Sequence, residues 1–121
     1  MDPANHFISL DQAKKMAAEY RKGKEVILNG QYAGKNILPT CETFSRQAFD
    51  KILENSECAS IRIYYGMDED LKIHSIIVGV NSKGEDILTA PDSSIAGDDI
   101  IENGERCPVI CPTTSGITEF D

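Results

Sequence analysis

Apolar residues recur every three or four positions early in the chain: Leu10, Ala13, Met16, Ala17 and Tyr20 share one stripe, with Lys14, Lys15, Glu19 and Lys22 opposite. That spacing predicts an amphipathic helix. Ser9-Leu10-Asp11-Gln12 has the form of a capping box, in which the Ser9 hydroxyl and the Gln12 side chain each satisfy a backbone donor at the helix start. Gly23 offers one stop. Because Val26, Ile27 and Leu28 follow at once, the pattern favours a helix carried on to Asn29-Gly30, where a left-handed stop is natural. Thr43 or Ser45 caps a second helix, whose stripe is Phe44, Ala48, Phe49, Ile52 and Leu53 and which ends near Asn55-Ser56. Between the helices, residues 34–39 read as an irregular connection, with Leu38 pushed to extended geometry by Pro39.

From Ala59 the period changes to two. Ile61, Ile63 and Tyr65 alternate with Ser60, Arg62 and Tyr64, as in a strand with one apolar face. Residues 66–70 read as the turn. The strand that begins at Leu71 carries Ile76, Ile77, Val78 and Val80, apolar on both faces as suits the middle of a sheet. Pairing Tyr65 with Leu71 sets Ile63 opposite Ile73, Ile61 opposite Ser75, Tyr64 opposite Lys72 and Arg62 opposite His74. A tight turn at Lys83-Gly84 then brings Ile87 opposite Val80 and makes residues 87–89 a third strand. The expected fold class is α+β: two N-terminal helices packed on a three-stranded antiparallel β-meander. This compact domain occupies residues 1–90, and residues 91–121 form a loop-rich extension.

Charge sharpens that boundary. Residues 1–61 hold eight acids and eight bases, and residues 62–83 hold three of each. The net charge of −8 therefore comes entirely from residues 84–121, where nine acids face Arg106 alone. Prolines, glycines, serines and threonines interrupt every periodic segment there, so the acidic stretch is expected to be a solvated tail or to be ordered by a basic partner surface. An acidic chain is a poor binder of phosphate backbones, which excludes nucleic acid as the expected partner. No apolar run approaches the roughly 18 residues of a membrane helix, and the start of the chain lacks the basic, apolar character of a secretory signal. A membrane is likewise not expected, and the expected location is the cytoplasm.

Four cysteines, Cys41, Cys58, Cys107 and Cys111, are enough for one tetrahedral zinc site. The spacing Cys107-Pro108-Val109-Ile110-Cys111-Pro112 also suits a disulfide under oxidising conditions, and unlinked thiols remain the third state. Thioredoxin-like redox catalysis is disfavoured, because the motif has one residue too many and Glu102 and Glu105 would raise a thiol pKa. A cysteine nucleophile needs a base; the histidines are His6 and His74, and a helix N-terminus after Cys41 would acidify that thiol. Arg62, Tyr64, Lys72 and His74 gather on one sheet face in the expected register and form the candidate binding patch, unless the acidic extension folds over and neutralises it. Residues 92–103 match a calcium loop at its first, third and sixth positions but fail at the fifth and twelfth, Ala96 and Asn103. Neither a phosphate-binding glycine loop nor a Gly-x-Ser-x-Gly elbow occurs.

The segments 36–44, Asn-Ile-Leu-Pro-Thr-Cys-Glu-Thr-Phe, and 61–72, Ile-Arg-Ile-Tyr-Tyr-Gly-Met-Asp-Glu-Asp-Leu-Lys, together with the Cys-Pro ending at 107–112, resemble a family of small uncharacterised bacterial proteins. The resemblance covers about residues 7–112. It implies a stand-alone bacterial protein and transfers no catalytic or binding residue. The function expected from the residues is a non-enzymatic binding domain that engages a protein partner through the sheet face or the acidic extension, with no cofactor. The alternative is a zinc-stabilised protein in which Cys107 and Cys111 join Cys41 or Cys58; an enzyme of another type is third.

Overall fold

The computed structural model describes residues 3–88, 100–113 and 115–118. Its class is α+β, with helices α1 (Leu10–Gly23) and α2 (Arg46–Leu53) and strands β1 (Cys41–Thr43), β2 (Ser60–Met67), β3 (Ile73–Val80), β4 (Asp86–Ile87), β5 (Ile100–Ile101) and β6 (Glu105–Cys107). β3 is central: β2 lies on one side of it and β4 and β5 on the other, while β1 and β6 form a separate two-stranded ribbon. The single pairing of the ribbon and all those of the larger sheet are antiparallel.

The two helices start as their sequences require. Ser9 caps α1 through the complete capping box with Gln12, and Ser45 caps α2 through the N–H of Gln47. Their burial differs. α2 buries Ile52 against Ile77 and Ile101, with Phe44, Ala48, Phe49 and Cys58 around them. A Cβ on Gly79 would lie 3.0 Å from Ile52 Cγ2 and 3.1 Å from Cys58 Sγ, so the bare backbone of β3 is what lets α2 approach so closely. α1 buries no residue. It is moored by polar contacts instead, from the Tyr20 hydroxyl to the Pro39 carbonyl (2.6 Å) and from Lys24 Nζ to the Leu38 carbonyl (3.1 Å). The expectation that both helices pack on the sheet is thus corrected for α1, and so is its length: the α-helix ends at Gly23, and residues 24–27 continue only as turns.

The two hairpin loops of the sheet share one design. Asp68 Oδ1 accepts from the N–H groups of Asp70 and Lys72 (2.8 and 3.0 Å), and Asn81 Oδ1 accepts from those of Lys83 and Glu85 (2.9 and 3.0 Å). In each loop the residue three further on is left-handed, Leu71 at φ 67° and Gly84 at φ 82°. Three-residue loops of this kind fix the register. In the first hairpin β2 runs on through Gly66 to Met67, so Arg62 faces Val78, Tyr64 faces Ile76 and Gly66 faces His74. The expected register is corrected by four residues. The shift is even, so each side chain keeps its face and changes only its partner. Gly66 was the misleading signal: it stays in the strand, where a Cβ would come within 2.8 Å of Ile76 Cδ1, and Asp68 is the true loop marker. In the second hairpin the loop is one residue longer than a tight turn, so Asp86 rather than Ile87 faces Val80. That slip turns Asp86 onto the face of Arg62 and Tyr64 and Ile87 onto the core face.

β5 and β6 fall within the stretch that composition reads as an extension. Ile101 and Cys107 are nonetheless buried, Ile101 in the core with Ile52 and Ile77. The ribbon is fastened to the free edge of β3 by two side chains that stand in for a strand. Glu42 Oε1 accepts from the Ser75 N–H (2.9 Å), and Arg106 Nη1 donates to the Ile73 carbonyl. Arg106 Nη2 also donates to the carbonyls of Asn36 (2.5 Å) and Ile37 (2.7 Å), while Ile73 N–H donates to Ile37 (2.8 Å). Along that edge β3 is therefore covered by β4, β5, Glu42 and the Arg106 clamp in turn.

Candidate functional site

The four residues expected to form one patch divide into two groups. Arg62 and Tyr64 converge on Asp86: Arg62 Nη1 donates to Asp86 Oδ1 at 2.6 Å, and the Tyr64 hydroxyl donates to Asp86 Oδ2. Arg62 Nη2 reaches the Gly84 carbonyl as well (3.3 Å). Asp86 of β4 thus balances Arg62 of β2 across β3, and the four side chains do not form one patch. Lys72 serves its loop through the backbone, its N–H on Asp68 Oδ1 and its carbonyl accepting from the Asp68 N–H.

His74 sits at the other end of the sheet among carboxylates. Its Nε2 donates to Asp68 Oδ2 at 2.7 Å, while Nδ1 lies 3.5 Å from Glu102 Oε1 and 3.8 Å from Glu42 Oε2. Glu42 is the most enclosed of these, with 7% of its side chain exposed against 19% for His74. Glu42 Oε2 and His74 Nδ1 are both buried without a hydrogen-bond partner. Three segments thus meet at one imidazole: the β2–β3 loop, β1 and the residue after β5. Sequence reading found His74 and missed Glu42, Asp68 and Glu102, because only the ribbon and β5, neither foreseen, bring the glutamates there. Asp68 alone left a signal, an acidic residue opening a loop after a strand.

Both aspartates are held below the ordinary carboxylate range. For Asp86 the Tyr64 hydrogen bond is the main cause, with Arg62 adding to it against some desolvation. For Asp68 the main cause is the His74 hydrogen bond, followed by the Lys72 N–H. A carboxyl whose pKa is lower folded than unfolded takes up its proton more readily when unfolded, so its stabilisation is complete above the unfolded pKa of about 4 and is lost as pH falls. The thermal midpoint is expected to drop on acidification below about pH 4. Asp86→Asn should flatten part of that drop; a variant profile parallel to the parent's would exclude Asp86 as a contributor.

The four cysteines do not form one cluster: Cys58 stands apart from the other three. Cys107 and Cys111 are joined to each other as a disulfide, and Cys41 and Cys58 are free. Cys58 lies beside Gly79 and donates weakly to the Ser60 carbonyl (3.4 Å). Among the described residues no group of three or more His, Cys, Asp or Glu side chains is arranged to hold a metal ion. The calcium-like stretch lies for the most part outside the described residues. Cys41 belongs to β1 rather than to a helix start, and its thiol pKa is raised, by burial first and by the Glu42 charge second. The expected acidification is therefore corrected. Adjacent strand residues point to opposite faces, so with Glu42 turned to His74, Cys41 turns away from it. No Cys41–His74 dyad is formed.

Compared with family models, curated proteins and solved structures, the chain matches none. Its function is therefore read from its own geometry.

Proposed function

We propose that this chain is a protein-interaction domain whose docking element is α1. The observation that carries the reading is the apolar side of a well-capped helix left outside the core: Met16 is 66% exposed, and the flanking Phe7, Val26 and Ile27 are 76–80% exposed. Leu10 and Ile8 are exposed as well. Large apolar side chains left exposed in this number along one helix and its flanks mark a contact site. Lys14, Lys15 and Lys22 are exposed along the same helix, which favours a partner segment that is both apolar and acidic. The sheet face is a weaker docking element, since Arg62 and Tyr64 already engage Asp86.

No helix among the described residues is long and apolar enough to cross a membrane. The Cys107–Cys111 disulfide favours an oxidising compartment over the cytoplasm. Affinity capture with the intact chain should recover an acidic protein in a salt-sensitive manner. Leu10→Asp with Met16→Asp should abolish the recovery, while Tyr65→Ser, on an exposed sheet position, should retain it. Recovery that survives the α1 variant, or self-association of the purified chain through α1, would remove this reading.

A further inference from the structure

Cys107 has two cysteines within covalent reach. One is Cys111, to which it is bonded with a Cα–Cα distance of 4.7 Å. The other is Cys41, its direct partner across the β1–β6 ladder. Residues directly opposite in an antiparallel pair share a face and stand about 4.5–5.5 Å apart, inside the range of about 4.4–6.8 Å that a disulfide spans. Arg106 and Glu42 are also cross-strand partners, and both reach β3. Alternation therefore puts Cys41 and Cys107 together on the opposite side of the ribbon. Access discriminates between the two sulfurs of the bond. Cys107 is 2% exposed, so a thiol from solution is shut out from it, whereas Cys41 is already beside it. Cys111 is only half-buried and is followed by exposed Pro112 and Thr113.

We propose that Cys41, Cys107 and Cys111 form an internal thiol–disulfide exchange site that moves the free thiol from strand β1 to the chain's C-terminal segment. Cys41 gives its proton to solvent, and the thiolate attacks Sγ of Cys107. The Cys41–Cys107 bond forms as the Cys107–Cys111 bond breaks; the electron pair leaves on Cys111, which then takes up a proton. One disulfide and one thiol stand on each side, so neither oxidant nor reductant is consumed. The products differ in what they hold. The starting bond closes a short loop after β6, and the exchanged bond staples β1 to β6 and releases Cys111. The released thiol is then available to an external disulfide or soft electrophile. Burial and the Glu42 charge keep Cys41 protonated at neutral pH, so the exchange is slow there and quickens as the solution becomes alkaline.

The test uses the full chain carrying Cys58→Ser, incubated without added thiol between pH 7 and 9, quenched in acid, alkylated under denaturing conditions and digested with trypsin. The starting bond lies within the peptide 107–121, while the exchanged bond links that peptide to 36–46. The expected result is a linked pair of peptides with Cys111 alkylated, its rate rising about tenfold per pH unit with the thiolate fraction. Only the 107–121 internal bond, with Cys41 alkylated at every pH and time, would overturn the proposal. Geometry is tested separately in Cys58→Ser/Cys111→Ser with oxidised glutathione. A monomeric Cys41–Cys107 bond is expected; stable glutathione adducts on both thiols, or a bond between two chains, would overturn it.

Discussion

Arg106→Ala is expected to lower the stability of the fold by about 3 kcal/mol, read as a reduced urea midpoint. The guanidinium donates to the carbonyls of Ile73, Asn36 and Ile37, which belong to β3 and to the connection ahead of β1. Hydrogen bonds from a charged donor each contribute roughly 1.5–3 kcal/mol, and part of that returns as water reaches the exposed acceptors. Alanine also removes what closes the free edge of β3 at Ile73, and with it half of the attachment between the ribbon and the larger sheet. Arg106→Lys should recover less than half of the loss, because a single ammonium cannot satisfy three carbonyls in a fork. A midpoint for Arg106→Ala within about 0.5 kcal/mol of the parent's would show that the ribbon is held by something other than this clamp.

The clamp explains what was and was not legible in the sequence. Local rules read well: the Ser9 capping box, the stripe of the second helix except for Leu53, which is exposed, the two-residue period of β2 and the apolar run of β3 all depend on neighbours within a few positions. Register was harder. Gly66 and the Lys83-Gly84 pair are both turn signals by composition, yet the loops are set by Asp68 and Asn81, whose side chains collect two backbone N–H groups each. A shift of four residues then separated Arg62 from His74 without changing the face of either. The ribbon was illegible, because three-residue strands carry no measurable period and β1 and β6 are more than sixty positions apart. Everything that depends on the ribbon went with it: Glu42 beside His74, Arg106 on β3, and Cys41 opposite Cys107; Glu102 went with β5, which at two residues is shorter still. Composition misled at the same point. Residues 100–107 sit in an acidic, proline-rich and glycine-rich third, yet two of the three apolar side chains among them, Ile101 and Cys107, are buried, and only Ile100 stays exposed.

The helices separate pattern from burial most sharply. Their stripes look alike in sequence, yet Ile52 of α2 is 5% exposed and Met16 of α1 is 66% exposed. Ile52→Ala is expected to cost about 3 kcal/mol, the middle of the range for a large aliphatic side chain removed from a core. It is the only buried residue of α2, and it rests on Ile77, Ile101 and the bare backbone at Gly79. Ile52→Val should cost about 1 kcal/mol, since the β-branch that meets Gly79 is kept and only the terminal methyl is lost. Met16→Ala in α1 should shift stability by less than about 0.5 kcal/mol, because its side chain leaves water neither before nor after folding and alanine is the better helix former. Urea unfolding of the three variants beside the parent decides the matter. Equal losses at Met16 and Ile52 would mean that α1 packs on the domain in solution, and the docking role assigned to its apolar side would fall with that result.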